Sequence, residues 1–482
     1  MIKRFLPFLS IALGLSISAN AQNYRDVARY SNQQPFGTAR FTAMGGAFSA
    51  LGGDLSAIHL NPAGVAVFNM SEAGLSLNFV NIDTESSYLG NTSQNTESAF
   101  NLSNFGFVTN DEPLKKESRW NRWALGITYN RLNDFNNRTL VDGVNSNTSY
   151  SSVFLQGAQG ISIENLGAFD SYLAWDSYLI DTLGTVDNYV NTVAVPGQRE
   201  RVIGESSGGM NEFGISVGGM LDKKFYIGGS LNLASANYHS RNLYTESDFI
   251  DSNAVPLDYW SFENTLKSTG TGVNLKVGAI WMASKYFRVS AAYHSPTWWE
   301  FTEEYTAEMK TGFNNGASFI STSPLGYYEY QMTTAGKLLL GTAFVLGNHG
   351  LISVDYEFVY NQNGRLKADN FSFSEANKEI QNMFERSNNL RLGAEWRIGI
   401  ISLRGGYAIV QGPYADVDNG LTNILSGGFA LRVKDWLLEM AYQTAVTNSE
   451  DYLYQPIVPE MMEKAQYTTT RNSVVVTLGM KF

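Results

Sequence analysis

The sequence of 482 residues contains no cysteine, which excludes disulfide bonds, thiol catalysis, thiolate metal sites and the lipid-modified cysteine of a lipoprotein. Charged residues are scarce: Asp, Glu, Lys and Arg make up 16% of the chain, against about 25% in ordinary soluble domains. The net charge is −11. Because phosphate contacts need clustered Lys and Arg, the sequence predicts no nucleic-acid partner.

Long apolar runs are missing after the first residues of the chain. Residues 1–21 have the pattern of a secretory signal, with basic Lys3 and Arg4, an apolar stretch up to Ile17 and a small-residue cleavage pattern ending at Ala21. The apolar stretch is too short to remain as a membrane-spanning helix. Cleavage there predicts an exported protein that is either periplasmic, secreted, or a barrel in the cell outer membrane of a Gram-negative bacterium.

Aromatic residues are abundant at 13%, glycine occurs 45 times, and the mean hydropathy of −0.18 is average. This combination is typical of strands that alternate apolar and polar residues, as in membrane β-barrels. Val273, Leu275 and Val277, for example, alternate with Asn274 and Lys276. Fourteen segments show such a pattern: 73–83, 98–109, 120–131, 211–221, 225–235, 271–282, 286–295, 333–346, 350–360, 388–398, 401–410, 424–433, 436–446 and 469–482.

The connections between these segments alternate between short and long. Turns of two or three residues are followed by long segments, among them 132–210, 236–270, 296–330 and 361–387. Outer-membrane barrels show this asymmetry, with short periplasmic turns and long extracellular loops. A soluble β-sandwich could supply alternating strands but gives no reason for the asymmetry. The predicted fold is therefore all-β: a 14-stranded antiparallel transmembrane β-barrel over residues 73–482.

The segment at 22–72 does not alternate and is rich in small residues, which suits a plug packed inside a barrel lumen. It contains Met44-Gly-Gly-Ala47, Gly-Gly-Asp54 and the element Asn61, Pro62, Ala63 and Gly64. Followed by fourteen strands and a terminal Phe482, these motifs resemble the N-terminal hatch and barrel of the FadL family, the outer-membrane transporters of long-chain fatty acids and hydrocarbons. The resemblance covers nearly all of the mature chain.

The resemblance implies passive transport of a hydrophobic small molecule. In that family a ligand is captured by apolar extracellular loops and leaves sideways through a gap at an inward kink of the third strand. The matching stretch here is 120–137, where the alternation from Trp123 to Tyr129 gives way to polar residues, so the strand either bends inward or has simply reached water. Barrels similar to this family also serve as non-transporting parts of outer-membrane protein secretion systems. A charged lumen sealed by the hatch would favour secretion, whereas an apolar cavity beside an opening in the wall would favour transport.

Two predicted loops carry aromatic clusters that could capture such a ligand. The loop 236–270 holds Tyr259, Trp260 and Phe262, and the loop 296–330 holds Trp298, Trp299 and Phe301. Trp and Tyr also gather at membrane interfaces as an anchoring belt, so this alternative stays open.

The sequence predicts no enzyme activity, no cofactor and no metal site. Gly204-Glu-Ser-Ser-Gly208 matches the letters of a nucleophile elbow, but it leads into a strand where the elbow needs a following helix. The expected partners are a hydrophobic ligand together with the lipids and lipopolysaccharide of the outer membrane. The expected state is a monomer.

Overall fold

The computed structural model describes residues 24–34, 36–111, 118–185, 187–194, 196–251, 254–347, 349–415, 420–454 and 462–482. The predicted signal at 1–21 lies outside these residues. Among the helices of the described residues, none is long and apolar enough to cross a lipid bilayer. The described helices are α1 (Tyr24–Ser31), α2 (Ala39–Ala43), α3 (Ala57–Leu60), α4 (Ser151–Ala158), α5 (Ser171–Asp176) and α6 (Ser374–Met383), with 3-10 turns at Pro62–Val67, Ile163–Asn165 and Asn361–Asn363.

Most of the described chain is strand. The strands are β1 (Glu72–Tyr88), β2 (Asn91–Asp111), β3 (Trp120–Asp134), β4 (Asn137–Asn145), β5 (Ile180–Thr182), β6 (Tyr189–Asn191), β7 (Gln198–Leu221), β8 (Phe225–Ser247), β9 (Leu257–Met282), β10 (Phe287–His294), β11 (Trp298–Phe313), β12 (Ser318–Thr322), β13 (Gly326–Thr333), β14 (Lys337–Val345), β15 (Gly350–Tyr360), β16 (Arg365–Lys367), β17 (Arg386–Ile398), β18 (Ile401–Val410), β19 (Leu421–Val433), β20 (Trp436–Asp451) and β21 (Ala465–Lys481).

These strands form one closed antiparallel barrel. Going round the wall, the order is β1, β2, β3, β7, β8, β9, β10, β14, β15, β17, β18, β19, β20 and β21, and β21 pairs with β1 from Lys481 opposite Glu72 to Gln466 opposite Ser87. The described residues therefore build fourteen wall strands, which confirms the predicted fold class.

The side chains divide between the two faces as the alternation predicts. On β9, Val277 is 57% exposed on the outer face and Lys276 is 3% exposed on the inner face. Trp281 and Trp396 likewise point outward, whereas Glu395 is buried inside. An apolar outer face and a polar inner face are the arrangement that lipid outside and a protein-filled lumen require.

The strands on one side continue far beyond the apolar band, which corrects part of the loop prediction. The predicted loops 236–270 and 296–330 are largely strand, since β8, β9, β11 and β13 extend through them. On β9 the outward residues change from apolar Val273 to polar Thr271 and Lys267. Above that level water replaces lipid outside the wall, so the contrast between the faces weakens and the alternation can no longer be read.

The N-terminal segment lies inside the barrel. Helix α2 packs on β18, β19, β20 and β21, and the 3-10 turn Pro62–Val67 packs on β3, β7, β8 and β9 on the opposite side. Met44, Phe48, Ala57 and Val65 are fully buried. The segment therefore crosses the lumen and is covered by the wall, and we call it the hatch to name this position.

Candidate functional site

The Asn-Pro-Ala-Gly element anchors the hatch to the wall. The Asn61 side chain accepts a hydrogen bond from Ala63 N at 3.1 Å, which caps the 3-10 turn, and it donates to Ser49 O at 2.9 Å. It also donates to Ala279 O on β9 at 3.3 Å. One buried amide side chain thus satisfies backbone groups of the hatch and the barrel together, as a crowded lumen requires.

The Asn-Pro-Ala-Gly element packs closely against a row of glycines in the wall. Gly218, Gly228 and Gly278 are cross-strand neighbours on β7, β8 and β9. A Cβ atom at Gly228 would lie 2.5 Å from the Pro62 carbonyl oxygen, and one at Gly278 would collide with the Asn61 side chain. This row was not predicted from the sequence; glycines on the inner faces of adjacent strands were the signal that could have revealed it.

On the side of the lumen opposite the glycine row, charged side chains of the wall bind the hatch. Arg40 Nε lies 2.8 Å from Glu395 Oε2, and Arg404 Nε reaches the same oxygen at 2.8 Å. Ser49 donates to both oxygens of Asp355 on β15, from its backbone N–H and its hydroxyl, each at 2.7 Å. Removing one partner of such a buried pair costs more than the pair contributes, because the remaining charge is left without compensation.

A second charged layer crosses the lumen on the other side of the hatch helices. Glu212 pairs with Lys276, and His59 Nδ1 lies 2.8 Å from Glu212 Oε1. Nearby, Arg391 Nη2 binds Glu357 Oε1 at 3.0 Å. Two polar cavities border this layer, and each has room for about one water molecule. The part of the lumen that contains the hatch and these ion pairs, here called the lower lumen, is therefore charged and filled by side chains.

An apolar cluster, here called the inner apolar cluster, adjoins this charged layer. It combines residues of α1, the end of β3, the extended strands β11 and β13, and α6. Its buried members include Val27, Tyr30, Leu132, Phe135, Trp299, Phe301, Tyr330, Met332, Phe373, Ile380 and Phe384. The apolar side chains of α1 fill its centre, since Val27 is 0% exposed and Tyr30 is 1% exposed.

The third wall strand breaks beside this cluster. Strand β3 ends at Asp134, and β4 begins at Asn137 after an irregular register on β7. Strand β4 then lies on the inner face of β1, where Thr84 Oγ1 donates to Asn137 Oδ1 at 2.9 Å and Ser86 Oγ donates to Leu140 O. The sequence could not separate an inward bend at 120–137 from a strand that had merely reached water, and the structure shows the inward bend.

The bend interrupts the wall between β2 and β3. The backbone ladder joining them runs only from Asp111 opposite Trp123 to Asn104 opposite Asn130. In the described chain, residues 91–103 of β2 form backbone pairs with β1 alone. We call this interruption the wall gap. Phe100 and Leu102, 67% and 37% exposed, face outward beside it, so the gap begins within the apolar band of the barrel.

Side chains bridge the wall gap. Asn101 Nδ2 on β2 donates to Asp134 Oδ2 on β3, and Arg131 Nη2 lies 3.3 Å from the same oxygen. Ser103 Oγ donates to Gly37 O of the hatch at 2.7 Å. Side-chain contacts of this kind open at far lower cost than a run of backbone ladder bonds, because fewer bonds have to break together.

The six predicted capture residues occupy four different places. Trp299 and Phe301 are buried in the inner apolar cluster. Trp260 and Phe262 are buried in a separate cluster with residues of α4 and α5, here called the lid cluster. Tyr259 and Trp298 are 36% and 49% exposed, and they lie at opposite ends of the ladder between β9 and β11. The structure therefore brings together two pairs, Trp299 with Phe301 and Trp260 with Phe262, and does not form one exposed groove from all six.

Two buried carboxylates lie beside the lid cluster, and one of them accepts hydrogen bonds from it. Glu200 and Glu246 are directly opposite each other on β7 and β8, and both are 0% exposed. Glu246 accepts hydrogen bonds from Tyr150 N at 2.8 Å and Trp260 Nε1 at 2.9 Å. Burial, together with the adjacent Glu200 carboxylate, raises the pKa of Glu246 to about 7. This pair lies well beyond the apolar band, on the extracellular extensions of the two strands.

Comparison with known proteins supports the fold. No protein-family model and no curated protein matches the sequence. A Pseudomonas aeruginosa FadL homologue of known structure is similar with a TM-score of 0.58 at 12% identity, covering 94% of this chain and 100% of that chain. The Pseudomonas putida toluene transporter TodX gives 0.52 at 13% identity, over 94% and 99% of the two chains. The chain therefore has a FadL-like β-barrel fold, a likeness that is carried by structure at low sequence identity.

Proposed function

We propose that the protein passively transports hydrophobic small molecules, such as long-chain fatty acids or hydrocarbons, across a Gram-negative outer membrane. In this proposal the ligand enters from outside, reaches the inner apolar cluster and leaves sideways through the wall gap. The observation that carries the proposal is the position of this cluster: Leu132 and Phe135, at the break of the third strand, are members of it. An apolar interior thus adjoins an unpaired stretch of wall within the apolar band.

The charged lower lumen supports a sideways exit. A ligand moving straight down would have to displace the hatch and separate buried pairs such as Arg40–Glu395 and Lys276–Glu212. An apolar molecule offers no group that could replace those partners, and leaving a buried charge unpaired is expensive. Leaving through the wall gap separates side-chain contacts such as Asn101–Asp134, beyond the end of the backbone ladder that joins β2 and β3. The similarity to the toluene transporter TodX supports the same class of cargo.

The proposal assigns parts to the remaining predicted segments. Residues 1–21 would direct export and be removed, residues 22–72 would form the hatch with Asn61 to Gly64 as its anchor, and the rest would form the barrel. Trp299 and Phe301 would line the route of the ligand. Trp298 would sit at the membrane boundary or meet the ligand there, and Tyr259, far beyond that boundary on β9, would meet the ligand first.

The test is to close the wall gap covalently. Because the chain has no cysteine, Asn101→Cys with Asp134→Cys provides a unique pair, placed where the two native side chains already touch. Uptake of a radiolabelled hydrophobic substrate by cells should stop when the pair is oxidised and return after reduction.

The matched control is Phe107→Cys with Ile127→Cys. These residues are direct partners in the intact ladder of the same two strands, so a cross-link there should leave uptake unchanged. Uptake that persists through a fully oxidised Asn101–Asp134 cross-link would contradict lateral release.

A second candidate function is a non-transporting role in protein secretion. The charged and filled lower lumen favours it, because such a lumen offers no continuous path for a ligand. The two functions differ in one measurement: a secretion component would leave hydrophobic uptake unaffected by the cross-link, and its deletion would instead retain exported proteins in the periplasm.

A further inference from the structure

The segment between β4 and β7, residues 146–197, exposes negative charge without any positive charge of its own. It contains no Lys, Arg or His, whereas it contains five carboxylates, which are those of Glu164, Asp170, Asp176, Asp181 and Asp187. All five residues are exposed, and none of them forms an ion pair within the described residues. We call this stretch the lid segment. Its surface therefore has a negative potential that attracts basic groups.

Helix α5 of the lid segment presents an aromatic and an acidic side chain to solvent. Tyr172 and Asp176 are four residues apart, which places them on one face of the helix, and both are exposed. The opposite face is anchored in the lid cluster, where Leu173 and Ala174 are 0% exposed. The packing of α5 therefore fixes the direction in which Tyr172 and Asp176 point.

Tyr178, which follows α5, has a backbone conformation that normally belongs to glycine. The N–H of Leu179 donates to Ala174 O at 2.8 Å, across the end of the helix. The N–H of Tyr178 donates to Trp175 O at 3.0 Å, and its φ is 61°. These two bonds form a Schellman motif, in which the residue at the place of Tyr178 is usually glycine because its φ is positive. A tyrosine there is strained by its Cβ atom.

Burial of the Tyr178 ring does not account for this strain. The side chain is 47% exposed, and its ring packs at 4.6 Å on Phe319 of β12, which is itself 37% exposed. The flanking residues Ser177 and Leu179 are 0% exposed, and Thr311 Oγ1 donates to Ser177 O at 2.5 Å, so the fold holds the strained backbone in place. Strained backbone that surrounding structure maintains is concentrated at functional sites.

Apolar and acidic residues from neighbouring strands extend this exposed area. Val190 on β6 is 38% exposed and lies opposite Asp181 on β5. Lys310, on the strand that pairs with β12, is already compensated, since its Nζ lies 2.7 Å from Glu308 Oε1. We use the name Tyr178 surface for the exposed residues Tyr172, Asp176, Tyr178, Asp181, Val190 and Phe319.

We propose that the Tyr178 surface docks a cationic amphipathic segment of another polypeptide. Tyrosine rings supply contact area at the centre of protein interfaces, and the carboxylates of Asp176 and Asp181 attract and orient basic side chains. A second copy of this chain is a poor partner, because a symmetric contact would bring the same carboxylates face to face. The surface belongs to the lid segment, apart from the wall gap and the inner apolar cluster, so the proposal does not depend on the transport route.

The experiment measures binding of a defined probe to the complete barrel in phosphatidylcholine nanodiscs. The probe is a fluorescent amphipathic helix built from Leu and Lys, and its control is the same peptide with Glu in place of Lys. After subtraction of the signal from empty nanodiscs, fluorescence anisotropy should show saturable binding of the Lys peptide alone. Because the carboxylates are exposed and therefore screened, the Kd should rise about fivefold between about 0.05 M and about 0.5 M salt.

Tyr178→Gly separates docking from folding. Glycine adopts the cap conformation without strain, so α5 should keep its hydrogen-exchange protection, whereas the Kd of the Lys peptide should rise about tenfold with the loss of the ring. Tyr178→Asn, which also accepts a positive φ, should have the same effect. The matched control is Leu89→Gly: Leu89 has a φ of 48° and is 36% exposed at the turn between β1 and β2, and its replacement should leave binding unchanged.

The charge is tested by Asp176→Asn together with Asp181→Asn, which should raise the Kd about fivefold and weaken its dependence on salt. Equal binding of the Lys and Glu peptides, or binding that neither Tyr178→Gly nor Tyr178→Asn changes, would overturn the proposal. So would lower uptake of a hydrophobic substrate by Tyr178→Gly with unchanged peptide binding, which would assign the surface to ligand capture. A dimer of the parent that Tyr178→Gly dissociates would assign it to a second copy and also overturn the proposal.

Discussion

At the scale of single residues, adjacent tryptophans in β11 have opposite environments. Trp298 is 49% exposed on the outer surface, whereas Trp299 is 2% exposed and stacks on Phe301 at 5.4 Å. Successive side chains of a strand point to opposite faces, so two residues that are adjacent in sequence have different surroundings. The sequence could place both near a strand end but could not say which one would face inward.

This difference predicts two separate effects of alanine. Trp299→Ala should lower uptake per folded barrel and reduce stability by about 3–5 kcal/mol, because it opens a cavity in the inner apolar cluster. Trp298→Ala should instead lower the yield of inserted barrel and leave uptake per folded molecule normal. Uptake normalised to heat-modifiable, folded protein on gels measures both; equal loss in the two variants would contradict the assignment.

Glu246 gives the lid a predictable dependence on pH. Its folded-state pKa of about 7 lies above the ordinary value of 4.5, so the stabilisation is complete below pH 4.5 and is lost as the pH rises through 7. The loss is on the order of 3 kcal/mol, since each pKa unit corresponds to about 1.4 kcal/mol. Hydrogen-exchange protection of α4 and α5 should therefore be lower at pH 8.5 than at pH 5.5.

Two variants check the origin of that pH dependence. Glu246→Gln should keep the lid protected at pH 8.5, because a neutral side chain removes the buried charge. Glu164→Gln, on the exposed part of the lid, should behave like the parent. Protection of α4 and α5 that does not change between pH 5.5 and 8.5 in the parent protein would contradict the titration of Glu246 in this range.

At the scale of elements, the hatch can pack closely on the wall because the wall residues that it contacts are glycines. Gly228→Val would press on the Pro62 carbonyl, whereas a Cβ atom at Gly229, one residue along and on the outer face, has its nearest neighbour at 3.6 Å. Gly228→Val should therefore loosen the hatch and raise ion conductance in planar bilayers without preventing barrel assembly. Gly229→Val should conduct as the parent does, and equal conductance in all three proteins would argue against this anchor.

Other elements show which sequence signals were reliable. In the sequence, Ser372-Phe-Ser-Glu375 has the pattern of a capping box that opens a short helix with Ile380 and Phe384 on one face. The helix exists as α6, and Ile380 and Phe384 are buried. Its first turn has no side-chain cap, so the capping-box prediction is wrong. Helical spacing follows from which face of the helix is buried, whereas a cap depends on the geometry of one side chain.

At the scale of the whole molecule, the barrel closes without the hatch. The ladders between neighbouring wall strands, including β1 with β21, consist of backbone bonds that involve no residue before Ser71. Deleting residues 23–60 should therefore leave a barrel that assembles but leaks small polar solutes. Planar-bilayer conductance measures the leak, with the parent barrel as the control. Unchanged conductance in a folded deletion variant would mean that these residues do not plug the lumen.

The sequence by itself determined the strand number, the facing of side chains within the apolar band and the presence of a non-alternating N-terminal segment. These properties depend on local contrast between lipid, water and lumen, which alternation records directly. Only the tertiary structure decided the inward bend after Asp134, the pairing of Glu200 with Glu246 and the insertion of Tyr30 beside Phe301. Each of these depends on residues far apart in the chain meeting in space, and no periodicity along one strand encodes such a meeting.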